Sequence, residues 1–158
     1  MTAPKLLGAL LVLLAGGFAA WVGASREKRR LTVLDAWLAL LRDLRGQIDC
    51  YLMPLDEILR AADPDLLRAA GAVRQPQSWD ALLQASLPHL GKECARLLSA
   101  LVRELGASYR DDQLRRCDYY LSALQQERDR LASALPARLK LCTASALCAA
   151  LATAILLW

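Results

Sequence analysis

The chain reads as an all-α protein: a helical bundle of about five to six helices flanked by an N-terminal and a C-terminal transmembrane helix. Three observations predict this class. Long uncharged apolar runs stand at both ends of the chain, at residues 6–24 and 141–158. Between them, apolar side chains recur at alternating spacings of three and four, which keeps them on one face of a helix. No stretch alternates polar and apolar residues with β-branched enrichment, the pattern a half-buried strand needs. The boundaries that follow are 1–24 for an anchor, 25–140 for a cytoplasmic α-helical domain and 141–158 for a second span.

The first run, LLGALLVLLAGGFAAWVGA, rises about 28 Å as a helix, close to the hydrocarbon thickness of about 30 Å. Arg26, Lys28, Arg29 and Arg30 follow it directly, whereas only Lys5 precedes it. The positive-inside bias then keeps the following domain in the cytoplasm. A cleaved signal peptide is the competing reading, with Lys5 in its basic lead and Val22-Gly23-Ala24 before a cut at Ser25. The run is longer than the about 7–15 apolar residues of such a peptide. A basic cluster placed directly behind it also resists translocation.

The second run, LCTASALCAALATAILLW, rises about 27 Å and follows Arg138 and Lys140, so both inner flanks agree on one topology. Its competing reading is a buried helix of a soluble domain, but it lacks the polar face of a surface-packed helix. Trp21 and Trp158 suit the interfacial level. Gly16 and Ala20 in one run, and Ala144, Ala149, Ala150 and Ala152 in the other, are small enough for close helix approach.

Residues 31–53 form the first long helix of the domain, continuous with the apolar run before it. Leu34, Trp37, Leu41, Leu44, Ile48 and Tyr51 make its core seam, with Arg42, Asp43, Arg45, Gln47 and Asp49 mainly on the other side. Pro54 stops that helix and suits the first turn of the next, 55–62, where Asp56 and Glu57 meet the positive end of the helix dipole. Asp63-Pro64-Asp65 restarts a short helix that Gly71 ends, and 74–77 is a loop. Ser78 caps a helix over 79–87 with Leu82, Leu83 and Leu87 inward. Pro88 opens the next helix, whose apolar side carries Cys94, Leu97, Leu98, Leu101, Val102 and Leu105 before Gly106 terminates it. Ser108 and Asp111 have capping-box spacing at the start of the last long helix. Its seam runs through Leu114, Cys117, Leu121, Leu124, Leu131 and Leu135, with Arg128 interrupting it and Pro136 expected to kink it. The first and last long helices leave one membrane in opposite chain directions, so they can pack as an antiparallel pair.

Sites for chemistry are sparse. His89 is a lone histidine, and its five-residue offset from Cys94 puts the two about 140° apart around a helix, unlike a nucleophile and its base. No phosphate-binding glycine loop and no metal-ligand spacing occurs, so no cofactor, metal or catalytic residue is assigned. The net charge of +4 is modest and concentrated near the apolar runs, which favours anionic lipid headgroups over nucleic acid. Cys50, Cys94, Cys117, Cys142 and Cys148 are odd in number and form no CxxC pair, so they read as reduced packing residues. The reading is of a protein that is not an enzyme and binds no small-molecule substrate.

The order of features is more specific than any one of them. An LLGALLVLLAGG anchor, a basic stop and a long helix lead to Pro54-Leu55-Asp56-Glu57-Ile58-Leu59. A Ser78-Trp79-Asp80 helix start, Leu105-Gly106-Ala107-Ser108 and Asp112-Gln113 follow, and then a terminal apolar helix. This order resembles stage III sporulation protein AB over nearly the whole chain. That family is similar in its soluble part to the cytoplasmic domain of F-type platform proteins of type II secretion and type IV pilus machines. The resemblance implies a structural and assembly role in the mother-cell membrane facing the forespore, within the secretion-like complex that links the two cells, and a requirement for endospore formation. It implies other stage III proteins, a secretion-type ATPase among them, as partners. The alternative is an inner-membrane platform subunit of a type II secretion or type IV pilus system. Pro54, Leu55, Asp56, Glu57, Trp79, Gly106, Ser108 and Gln113 carry the family motifs or are candidate contacts. The polar faces of the 31–53 helix and of the Pro54 helix are the candidate docking faces. Tyr109 stands where the family often has an acidic residue, and Pro136 interrupts a last helix that is usually continuous.

Overall fold

The computed structural model describes the backbone of residues 3–50, 54–106 and 109–156. Within its helices, the side chains of 3–17, 19, 20, 50, 138, 139, 142, 143, 146, 147 and 149–156 are outside the described set. The elements are α1 (Ala3–Cys50), α2 (Leu55–Ala61), α3 (Pro64–Ala69), α4 (Trp79–Ser86), a 3₁₀ turn (Leu87–His89), α5 (Lys92–Glu104) and α6 (Arg110–Leu156). All regular structure among the described residues is helical, as the absence of strand patterning implies.

The chain divides into two compact units. One joins Met1–Lys28 and Ala132–Trp158, the outer parts of α1 and α6; the other is Arg29–Leu131. Among the described residues no helix is long and apolar enough to cross a membrane. Most of the two apolar runs that predict spans, including 6–17 and 151–156, lies outside the residues whose side chains are described. α1 does run without interruption from residue 3 to residue 50, as the sequence predicts for the junction at 24–31.

In the 29–131 unit α1 is the central element. Leu34, Trp37, Leu41, Leu44 and Ile48 are buried as the seam requires, while Tyr51 is outside the described residues. Val33, Ala36, Leu38 and Leu40 are buried too, so the apolar surface covers far more than one stripe. Ile58 and Leu59 of α2, Leu67 of α3, Leu82 and Leu83 of α4, Cys94, Leu98 and Leu101 of α5, and Cys117, Tyr120 and Leu124 of α6 complete the core. Burial of such side chains stabilises by about 1.5–3 kcal/mol each.

Local signals explain the short elements. Pro64 excludes the α region for the residue before it, and Asp63 accordingly has φ −57°, ψ 123°. The Asp63 carboxylate then accepts from the Asp65 N–H at 2.8 Å. α3 closes through its C-cap Ala70 onto Gly71, whose φ is +110°. There the Ala72 N–H donates to Leu67 O at 3.0 Å and the Gly71 N–H to Arg68 O at 3.1 Å, the paired bonds of a Schellman terminus. Ser78 caps α4 as expected, accepting from the Ala81 N–H at 3.2 Å. Gly106 lies past the end of α5 with φ +82°.

Three expectations are corrected. Pro54 is the N-cap of α2, one position before the first turn, and its carbonyl accepts from the Glu57 and Ile58 N–H groups. Pro88 does not open the following helix but sits in the 3₁₀ turn. Leu90 leaves that turn in an extended conformation to bury its side chain, and α5 begins only after Gly91. Pro136 does not interrupt α6, which is helical from residue 110 to residue 156. A proline removes one backbone donor from the ladder, and the remaining bonds of so long a helix continue on both sides. The Ser108 capping box lies outside the described residues.

Candidate interaction site

The motif residues differ in burial: Trp79 is buried, Leu55 and Gln113 are half-buried, and Pro54, Asp56, Glu57 and Gly106 are exposed. Trp79, 5% exposed, donates its indole N–H to Leu55 O at 3.1 Å and packs on Trp37 with ring centroids 6.3 Å apart. A Cβ on Gly106 would stand 3.2 Å from Leu55 Cδ1. Leu55, Trp79 and Gly106, far apart in sequence, thus meet where α2 starts and α5 ends. The Trp79 bond ties α4 to the start of α2. Pro54, Asp56, Glu57 and Arg60 are all exposed on the same short helix, whose Ile58 and Leu59 face the core. Gln113 is half-buried in a crevice with Leu101, Glu104, Leu105, Arg116 and Cys117. Ser108 is outside the described residues.

The polar side of α1 has a different fate from that of α2. Arg45 binds both Asp118 carboxylate oxygens, at 2.5 and 3.2 Å. The Arg42 guanidinium donates to Gln125 at 3.1 Å, and Arg128 to Asp35 at 2.9 Å. Arg110 donates to the Asp49 carboxylate at 2.9 Å and to the Ile48 and Asp49 carbonyls, so a cation from α6 satisfies the C-terminal end of α1. As the partner number on α1 falls from 49 to 35, that on α6 rises from 110 to 128, which is an antiparallel register. Arg42, Arg45 and Asp49 are thus bonded to α6, while Arg42, Asp43 and Asp49, like Asp56, Glu57 and Arg60 of α2, stay exposed. Arg128, the apparent interruption of the α6 seam, is one of these cross-helix links.

Sequence reasoning missed the buried polar centre. Ser86 is 0% exposed; its hydroxyl accepts from the Trp37 indole N–H at 2.9 Å and has Ala70 O at 2.6 Å and Leu82 O at 2.8 Å as acceptors for its own proton. One hydroxyl thereby ties α1 and α4 to the end of α3. The available signal was a small polar residue one turn after Leu82, on the apolar side of α4.

The electrostatics fit a structural role. Burial pushes the Cys94 and Cys117 thiols up, so both stay protonated and poorly nucleophilic at neutral pH. Cys94, Cys117 and Cys148 are free thiols, the first two buried as the packing reading requires. Burial, followed by the Glu104 charge, raises the Tyr120 phenol. The hydrogen bond from Arg45, and then its charge, hold the Asp118 carboxyl below its ordinary value of 3.8. A carboxyl with a depressed folded value stabilises the fold above the unfolded value, and that contribution is lost as pH falls through the folded value. The native chain is therefore expected to lose thermal stability more steeply than Asp118→Asn below pH 3.8, in melts followed by circular dichroism. The pair is exposed, so the difference is small and shrinks with added salt.

The family model of stage III sporulation protein AB matches residues 5–66 and 65–158, nearly the entire chain. The chain belongs to the stage III sporulation protein AB family. This is a structural sporulation family, not known as an enzyme, and part of the stage III sporulation complex. A stage III sporulation role follows for the chain. No curated protein and no solved structure matches it.

Proposed function

We propose that the protein is a membrane-anchored assembly component of the mother-cell stage III complex, a secretion-like channel joining mother cell and forespore. The family match over nearly all of the chain carries this reading. Two spans, at 6–24 and 141–158, hold the domain in the cytoplasm, with the basic clusters behind and before them as the retained flanks. A secretion-type ATPase and other stage III proteins are the partners of the domain, and lipids those of the spans. The α2 face, with Asp56, Glu57 and Arg60 exposed, is the docking surface for the ATPase, because the buried Trp79 indole, bonded to Leu55 O, fixes the start of that helix from behind.

Deletion of the gene in the source organism is the deciding experiment. Arrest of sporulation after engulfment with normal vegetative growth is expected; normal spores would refute the role. Reversing the charges of Asp56, Glu57 and Arg60 together is expected to abolish co-purification with the ATPase while leaving the melting temperature within a few degrees, since all three are exposed. Unchanged co-purification would move the docking face elsewhere.

A further inference from the structure

We infer that the crevice between the C-terminal end of α5 and the first turns of α6 takes a lysine or arginine side chain of the docked protein partner, its aliphatic stem along the apolar floor and its cation over the ring of Tyr109. The site adjoins the α2 face and rests on the docking reading proposed above, for which it names the partner's contact chemistry. Leu101 and Leu105 of α5 and Cys117 of α6 form the floor, and Glu104, Gln113 and Arg116 are the polar members. Arg116 donates to the Glu104 carboxylate at 2.8 Å, so these two neutralise one another. The enclosed space is that of about one water molecule, which suits part of a side chain and not a metabolite. Tyr109, 90% exposed, stands one turn before Gln113, whose N–H donates to the Tyr109 carbonyl at 3.0 Å. At the α5 end, exposed Gly106 follows the crevice residue Leu105, and a Cβ on it would stand 3.2 Å from Leu55 Cδ1, so the crevice abuts the start of α2.

Three properties select a cationic side chain as the occupant. An uncovered phenol ring attracts a guanidinium or ammonium to its face, and tyrosine is among the residues that carry binding energy at protein interfaces. The apolar floor beside it matches the methylene stem that lysine and arginine lay along apolar surface. Asp56 and Glu57, exposed in the first turn of α2 next to Leu55, have no ion-pair partner among the described residues and leave the neighbourhood negative. Asp112, in the first turn of α6, is paired with Arg115 at 2.9 Å and adds no net charge. An acidic partner segment would meet like charge here, so complementarity favours a basic one.

The test uses the full chain in the sporulating source organism, with the photo-crosslinking residue benzoylphenylalanine at position 57 or 109 and the joined peptides sequenced by mass spectrometry. Both positions are expected to join the ATPase, position 109 at a segment that carries a lysine or arginine at the joined site. Joining to the ATPase at neither position overturns the docking reading and this inference with it. Joining at 57 alone, or at 109 to a second copy of this chain or to an ATPase segment without a cation, overturns the site and leaves the docking reading standing. Replacing the identified cation by glutamine, or Tyr109→Leu, is expected to lower the ATPase recovered with the chain about tenfold, whereas Tyr109→Phe, which keeps the ring, preserves it. Because Tyr109 is exposed, both Tyr109 variants keep the helical circular dichroism of the native chain. Native recovery with Tyr109→Leu would overturn the cation contact.

Discussion

Trp37→Ala is expected to remove about 3–5 kcal/mol of stability, enough to unfold a marginally stable domain at growth temperature. Trp37 is 0% exposed on the central helix, packs on Trp79 and donates its indole N–H to Ser86 at 2.9 Å. Truncation leaves a cavity between α1 and α4 and withdraws one partner of the buried hydroxyl. The check is urea unfolding of the full chain in mild detergent, followed by circular dichroism. Ser86→Ala separates the two contributions, because it keeps the indole in place while leaving its N–H and Ala70 O short of a partner. A loss of about 1–3 kcal/mol is expected there. Were Ser86→Ala neutral, the buried polar centre would not be a tie between elements.

Gly71→Ala is the second large effect, and Gly46→Ala is its opposite. The φ of +110° at Gly71 is strained for any L side chain, and a Cβ there would stand 3.1 Å from Ala85 O and 3.4 Å from Ser86 Cα. Those neighbours are backbone of α4 and cannot rotate aside. Strain of this kind costs about 1–3 kcal/mol before the clash is added. Movement of α4 to relieve it would also disturb the Ser86 bonds, so the effect reaches the Trp37 site. Gly46, by contrast, lies within α1 with nothing within 4 Å of a would-be Cβ. Alanine there is expected to stabilise by about 0.5–1 kcal/mol, since glycine is a poor interior helix residue. Melting temperatures of the two variants should therefore move in opposite directions. A Gly71→Ala chain as stable as the native one would show that the α3–α4 approach is looser than these distances.

Trp37→Ala and Gly71→Ala both act on contacts between elements, and the elements themselves were legible beforehand. The seam of Leu34, Trp37, Leu41, Leu44 and Ile48 marks α1 as a core helix from spacing alone, because a helix repeats at 3.6 residues. Ser78, Asp63 and Gly71 mark helix ends, because capping is decided by the local backbone and the nearest side chains. Pro88 misled for the same reason: its ring suits a helix start, yet the burial of Leu90, a tertiary demand, took the chain elsewhere. Among the motif residues, Asp56 and Glu57 were legible as exposed first-turn acids, whereas Leu55, Trp79 and Gly106 gave no local sign that they would meet.

By itself, then, the sequence determined the all-α class, the helix starts at 55, 64 and 79, the terminating glycines at 71 and 106 and the family to which the chain belongs. Each depends on interactions within a few residues, on pattern along one helix, or on the order of motifs. Only the tertiary structure decided that α1 is buried well beyond one stripe, that Arg45 and Asp118 lock it antiparallel to α6, and that Trp37, Ser86 and Ala70 share one hydrogen-bonded centre. Those partners lie 16 to 73 positions apart. Their pairing depends on how helices stack in space, and no local propensity records that.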